Sequence, residues 1–284
     1  MKLVNNNLSP IPFYDNLEMQ NHRRDYSFGQ IYDLVIKGNM LIPFQAIVDS
    51  SVQSIDKVEL YYVNGALYAD ITEHIKENGL SIIQYPYFCV IRYPGNLPIV
   101  DIKAEGRYFI AMRTNAGYIY SDVFTISNKV DSFLQLEYWN NNNFGLKNGI
   151  VDFSDAFKFR VYLPTQIGKP EYKFEEEVTE RMGYSFIESQ VSKKIYKFTF
   201  LAPEYLCDAL RIVRLCENKT ITSGNLIYDM TTFSMDVSWE DQGDLAAVEC
   251  EFETDTVIAN VGGYEPVPLG GDYNIDYNSD FNNE

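Results

Sequence analysis

Between Val58 and Ile71 apolar and polar residues alternate twice, as Val58, Leu60, Tyr62 and then Leu67, Ala69, Ile71, on either side of Asn64-Gly65. A period of two puts every apolar side chain on one face of a strand, and Asn-Gly supplies the left-handed backbone of a tight hairpin. This stretch is therefore expected to form an antiparallel pair with one buried face. The pattern continues over residues 81–85, 88–93, 108–114 and 118–126, cut by the turn clusters Pro94-Gly95-Asn96 and Asn115-Ala116-Gly117. Short strands at such spacing predict an immunoglobulin-like β-sandwich, without its disulfide, over residues 31–128. Within it, Asp70 and Gly79 bound a short helical turn.

A second β unit is predicted over residues 129–262, with strands at 133–139, 159–163, 184–188, 195–201, 226–230, 233–239 and 246–254. One helix near 203–217 interrupts it: Pro203 suits the first helical position, and Leu206, Ala209, Leu210, Val213 and Cys216 form an apolar stripe. The expected fold class is all-β, two β-sandwich-like domains flanked by extended arms at residues 1–30 and 263–284. Phe13, Tyr14, Tyr26 and Phe28 give the N-terminal arm means to pack on its own domains or on a neighbouring subunit.

Charge narrows function further. The chain has 284 residues, 23 Lys and Arg against 40 Asp and Glu, a net charge of −17. Every base lies at or before Lys219, and the last 65 residues hold 14 of the acids. Such a field repels phosphate, so specific nucleic-acid binding is not expected. With no long apolar run, the product is expected to be soluble and made in the cytoplasm, without membrane contact. Glu249, Glu251 and Glu253 share one face of a strand, opposite Ala246, Val248, Cys250 and Phe252. That acidic face is expected to be solvated or to pair with a basic strand, which Lys193, Ile195, Lys197 and Thr199 can supply.

The residues that carry chemistry are sparse. His22 and His74 are the two histidines, neither beside a nucleophile-elbow motif, and both read as surface or contact residues. Cys89, Cys207, Cys216 and Cys250 lack CxxC spacing and read as free, mostly buried thiols. Glu175-Glu176-Glu177 reads as a solvated acidic loop, and the sequon Asn218-Lys219-Thr220 carries no consequence without secretion. At the C-terminus Asp272, Asn274 and Asp276 fit the first three positions of a calcium loop. Tyr277 then replaces the turn glycine, and Asn283 the bidentate Glu. The same segment, with Tyr273, Ile275, Tyr277 and Phe281 alternating, also reads as a strand seeking a sheet edge or as a disordered acidic tail. No catalytic, cofactor or metal residue is assigned, and the chain is not expected to be an enzyme.

Asn6-Asn7-Leu8-Ser9-Pro10-Ile11-Pro12-Phe13-Tyr14-Asp15, then Asn21-His22-Arg23 with Tyr26 and Gly29, resemble the opening of a family encoded by phages and prophages of Bacteroides-type gut bacteria, crAss-like and related tailed phages. Residues 168–176, 200–209 and 248–252 are similar to later stretches of that family, so the resemblance covers residues 1–258. It implies a virion structural protein, placed so by gene context, and brings no site residues. The expected role is a neck, collar or tail ring component, a homo-oligomer contacting portal, neck or tail proteins in the virion. Its acidic end would line a channel near DNA or dock on a basic neighbour. The alternative is a carbohydrate-binding or adhesive module at the tail tip, stacking sugars on Tyr138, Trp139 and Trp239.

Overall fold

The computed structural model describes residues 8–20, 32–38, 40–95, 105–130, 132–141, 145–146, 149–181, 183–239, 245–254 and 257–260. The first strands are β1 (Phe13–Tyr14), β2 (Leu34–Lys37), β3 (Phe44–Asp49), β4 (Ile55–Tyr62), β5 (Leu67–Asp70), β6 (Ser81–Gln84), β7 (Phe88–Tyr93), β8 (Gly106–Thr114), β9 (Gly117–Ser121) and β10 (Phe124–Ser127). They are followed by β11 (Leu134–Trp139), β12 (Gly145–Leu146), β13 (Gly149–Ile150), β14 (Phe159–Leu163), β15 (Glu171–Arg181), β16 (Tyr184–Ala202), β17 (Asn218–Ser223), β18 (Leu226–Asp229), β19 (Thr232–Trp239), β20 (Ala246–Glu253) and β21 (Val257–Asn260). Two short helices, α1 (Thr72–Glu77) and α2 (Glu204–Leu210), complete an all-β protein.

One sheet of eleven strands runs β1-β9-β8-β10-β2-β14-β11-β17-β18, with β4 on the other edge of β8 and β5 beyond it. Two smaller sheets, β3-β7-β6 and β15-β16-β20-β19, contribute their apolar faces to the same core. Phe44, Val48 and Ile91 of the first, Phe198, Val248 and Phe252 of the second, and Ile110, Leu136 and Val161 of the large sheet form one buried cluster. Rings meet across the layers: Phe13 and Phe44 lie 5.0 Å apart, Tyr196 and Tyr228 5.1 Å. β10 and β11, either side of the boundary expected at 128/129, belong to the same sheet, connected through β2 and β14 by the pair Tyr162 and Val35.

The hairpin expected around Asn64-Gly65 is β4-β5, with Leu60 opposite Ala69 and Gly65 at φ +85°, a backbone that L side chains rarely adopt. After it, Asp70 Oδ1 accepts hydrogen bonds from Thr72 N at 3.0 Å and Thr72 Oγ1 at 2.6 Å at the start of α1. Of the N-terminal arm, residues 8–20 pack on the chain's own body: Leu8, Ile11 and Phe13 are buried, and β1 pairs with β9. Tyr26 and Phe28 lie outside the described residues.

The strand expected over 118–126 is two strands. β9 pairs with the C-terminal half of β8 and β10 with its N-terminal half, with Asp122 and Val123 between. The inserted residue reverses the parity, so that odd-numbered Ile119 but even-numbered Phe124 and Ile126 face the main core. Apolar residues occur on both sides of the break, which hides it from periodicity. Ser121 repairs the ladder there: its Oγ accepts from Ile110 N and donates to Asp122 O, both at 2.8 Å, while Gln20 Nε2 donates to Ser121 O at 2.5 Å.

In the second half, the helix expected near 203–217 is shorter. Pro203, at φ −73° and ψ 163°, caps α2 instead of opening it, and a 3-10 turn at Val213–Leu215 follows. The apolar stripe is nonetheless buried throughout. The strands expected at 184–188 and 195–201 are one 19-residue strand, β16. The polar run Ser189, Gln190, Ser192, Lys193, Lys194 that separates them in sequence is held in the ladder by β15 on one edge and, from Ser189 to Ser192, by β21 on the other.

A buried polar joint fixes residues 151–157 to the first small sheet. Asp152, 1% exposed, accepts from Tyr85 Oη at 2.8 Å and Ser154 N at 2.8 Å, and its backbone exchanges hydrogen bonds with the Gln45 amide. Arg92 Nη1 lies 3.6 Å from Asp152 Oδ1 and donates to Ser154 O at 2.7 Å, while Nη2 pairs with Asp155. Asp155 adopts φ +52°, a left-handed conformation imposed on a non-glycine residue next to this joint. Burial pushes the Asp152 carboxyl up, but hydrogen bonds from Ser154 and Tyr85 and the Arg92 charge outweigh it, leaving the pKa below the usual carboxylate value.

Two outcomes follow from these joints. Ser121→Ala strands the Ile110 N–H in the core and is expected to cost about 1–3 kcal/mol in urea denaturation. Because the Asp152 pKa is depressed on folding, its contribution is present above the unfolded value near ~4 and is lost as pH falls through the folded value. Stability measured from pH 7 down to pH 2 should therefore drop less steeply in Asp152→Asn than in the wild type, and Asp152→Ala should cost about 3 kcal/mol at pH 7.

Candidate interaction surface

β15 and the outer half of β16 form a long hairpin, closed by a two-residue connection between the paired Arg181 and Tyr184. Gly183 lies there at φ +78°. Val257 to Asn260 of β21 pair with Ser192 to Ser189, making the hairpin a three-stranded arm. The register slips between Glu177 and Val178, leaving Glu188 outside the pairing. This is a correction: Glu175-Glu176-Glu177, expected in a solvated loop, lies within β15. Each carboxylate has a donor on β16: Lys193 Nζ to Glu175 at 2.8 Å, Gln190 Nε2 to Glu176 at 2.9 Å, and Ser189 Oγ to Glu177 at 3.2 Å.

Opposed residues of an antiparallel pair share a face. Tyr172 therefore stands with Lys194, Phe174 with Ser192 and Val257, and Val178 with Ile187. Lys194 and Ser192 continue the parity of Tyr196, Phe198 and Phe200, which face the core. The inner face of the second small sheet thus runs past Tyr196 and Tyr228 and out along the arm. There Tyr172 is 60% exposed, Phe174 73%, Val178 50%, Ile187 38% and Val257 65%, and Leu226, two residues from Tyr228 on the same side of β18, is exposed as well. An apolar row of this extent on an isolated arm marks a contact surface. Sequence reasoning missed it. The usable signal was Tyr172, Phe174 and Val178 at period two ahead of a Met182-Gly183 turn, obscured by three consecutive glutamates.

The outer face is acidic over β20 and β19, whereas on the arm Lys173 and Lys193 stand among Glu171, Glu175 and Glu177. Lys197 and Glu251, Thr199 and Glu249, and Ile195 and Glu253 are direct partners, so the basic strand expected to accompany the Glu249, Glu251, Glu253 face is β16. Lys197 Nζ lies 3.5 Å from Glu171 and 3.4 Å from Glu251, and the Glu171 charge, then the Glu251 hydrogen bond, raises its pKa. On the other flank β19 offers no base: Asp236 stands opposite Glu249.

The remaining candidates are dispersed. Tyr138 is fully buried, so it offers no stacking face; Trp139, its neighbour on β11, has Lys158 Nζ 3.8 Å above its ring. Trp239 is half-exposed at the end of β19, in a shallow groove of about 510 Å³ with Glu204, Asp208, Arg211 and Val237. His74 sits on α1, its Nε2 buried without a hydrogen-bond partner. All four cysteines are free and buried, and burial pushes the Cys89 and Cys207 thiols up to about 11 and Cys216 to about 12, which leaves them protonated and unreactive at neutral pH. Asn218 and Lys219 open β17. His22 and the segment from Asp272 to Asn283 lie outside the described residues. Among the described residues no group of three or more His, Cys, Asp or Glu is placed to hold a metal ion, and no helix is long and apolar enough to cross a membrane.

Replacing one of the directly opposed carboxylates, as in Asp236→Lys, should raise stability by about 0.5 kcal/mol in urea denaturation at low salt, with the gain shrinking as salt is added. The chain matches no protein-family model and has no match among curated proteins.

Proposed function

We propose that this protein is a structural subunit of a phage virion, a neck, collar or tail ring component that assembles by contact and carries out no chemistry of its own. The observation that carries the reading is the arm, whose apolar inner face is continuous with the core yet exposed at Phe174 and Tyr172. A subunit acting alone gains nothing from that exposure, whereas one that locks to neighbours uses it. Two further features support assembly. β15 and β19 close the second small sheet without a further partner strand among the described residues, and such edges recruit strands from other chains. The resemblance of residues 1–258 to a phage family, made in its host's cytoplasm and carried in the virion, points the same way. The acidic outer face and the base-free last 65 residues suit a channel wall from which DNA slides free, or a seat for a basic neighbour such as a portal, neck or tail protein.

Trp239 favours a second reading, a carbohydrate-binding module at the tail tip. A half-exposed indole beside Glu204, Asp208 and Arg211 has the aromatic platform and polar rim that sugars use. The readings separate by experiment. Mass spectrometry and electron microscopy of purified virions should find the subunit in stoichiometric amounts as a ring, and its absence from intact particles would overturn the assembly role. Saturable binding on a glycan array, lost in Trp239→Ala, would favour the second.

A further inference from the structure

We infer that the inner face of the arm is the contact for a second copy of this chain, two arms crossing face to face in opposite directions about a two-fold axis near Glu176. This rests on the assembly reading and names its first partner. The argument is the spacing of residues along β15. Tyr172 and Glu180 lie four residues either side of Glu176, and Phe174 and Val178 two either side. A two-fold axis through Glu176 therefore sets the aromatic root of one arm on the aliphatic tip of the other, Phe174 against the partner copy's Val178 and Ile187. It also brings Tyr172 and its ladder neighbour Lys194 to the level of the other copy's Glu180, about 14 Å from the axis at ~3.4 Å per residue. Root and tip are thus complementary in shape and in charge, as an isologous contact requires.

The area is sufficient. At ~200 Å² for a whole aromatic side chain, the exposed parts of Tyr172, Phe174, Val178, Ile187 and Val257 amount to roughly 500 Å² per copy. Two copies would bury about 1,000 Å², the lower bound of a specific interface. At the axis two Glu176 carboxylates approach each other. Each already accepts one amide proton of Gln190, whose second N–H is available to the other copy's Glu176. The residual repulsion makes the contact weaker than its area alone suggests, and gives it a signature.

Sedimentation equilibrium of the full-length chain tests this. The wild type should dimerise. Phe174→Asp, at a position 73% exposed and so harmless to folding by circular dichroism, should raise the dimer Kd at least about 30-fold. Glu176→Gln, which removes the repulsion at the axis, should tighten the dimer. Lys194→Glu and Glu180→Lys should each weaken it, and the double variant should recover wild-type affinity. A wild type that stays monomeric at every accessible concentration, or a Phe174→Asp dimer of unchanged Kd, overturns the inference, whether residues 261–284 or another protein then covers the face. Failure of the double variant to recover overturns the opposed crossing. None of these results bears on the presence of the subunit in virions, which is measured separately.

Discussion

β16 is one hydrogen-bonded ladder in two environments, and the form of the second half of the protein depends on it. From Ile195 to Ala202 its inner side chains sit in the core beside Phe252, Cys250 and Val248. From Ser189 to Lys194 the same parity continues with no layer opposite among the described residues, and beyond Glu188, which the slip leaves unpaired, it reverses. A strand cannot change face without an extra residue, so whatever points inward at Tyr196 must point to the same side at Lys194 and Ser192. The slip at Glu177 and Val178 occurs only near the tip, and the apolar row beyond it returns to that side. Ladder bonds on both edges, rather than burial, keep the outer strand extended.

The first half solves a different problem, how to bury a loop. Residues 151–157 carry Phe153 and Phe157 into the core, and their backbone must find partners there. Gln45 of β3 and Arg92 of β7 supply them, and Tyr85 of the β6–β7 turn donates to the Asp152 carboxylate. The small sheet β3-β7-β6 is thereby joined to a segment between β13 and β14, and β14 is a strand of the large sheet. Ser121 plays a similar part at the β9–β10 break. In both places a polar side chain takes over where the regular ladder stops, and the core remains continuous around it.

What was legible in the sequence follows from where burial is one-sided. β20 has one buried face, and alternation located it to within a residue; the β4-β5 hairpin was legible from its Asn64-Gly65 turn, although Leu67 is half-exposed. The pairing of Lys197 with Glu251 was legible for the same reason, since the face opposite Cys250 had to be solvated. The arm was not, because both of its faces are exposed. Glu175, Glu176 and Glu177 fall on alternating sides of a strand whose two faces are exposed among the described residues, so hydrophobic periodicity has no contrast to report. The break at Asp122 and Val123 escaped because Val123 is itself buried, in a second small cluster with Phe109 and Ala111 flanked by Leu17 and Tyr61, so apolar residues continue through it. Trp139 and Tyr138 are neighbours in sequence, yet alternation sends one into the core and leaves the other beneath Lys158.

The two faces of the arm impose an orientation on any assembly that uses it. Tyr172, Phe174 and Val178 on one side and Glu171, Lys173, Glu175 and Glu177 on the other are fixed to opposite sides by the pleat, so a neighbour packed on the inner face leaves the charged face pointing away from that contact. Beyond Lys197, which lies within 3.5 Å of Glu171 and of Glu251, that face becomes acidic at Glu251, Glu249 and Asp236 across β20 and β19. In a ring, burying the inner faces between subunits would gather these carboxylates on a surface that no subunit contact covers. The same alternation that exposes apolar side chains on one side of the arm therefore places the carboxylates of β20 and β19 on the other side of the sheet.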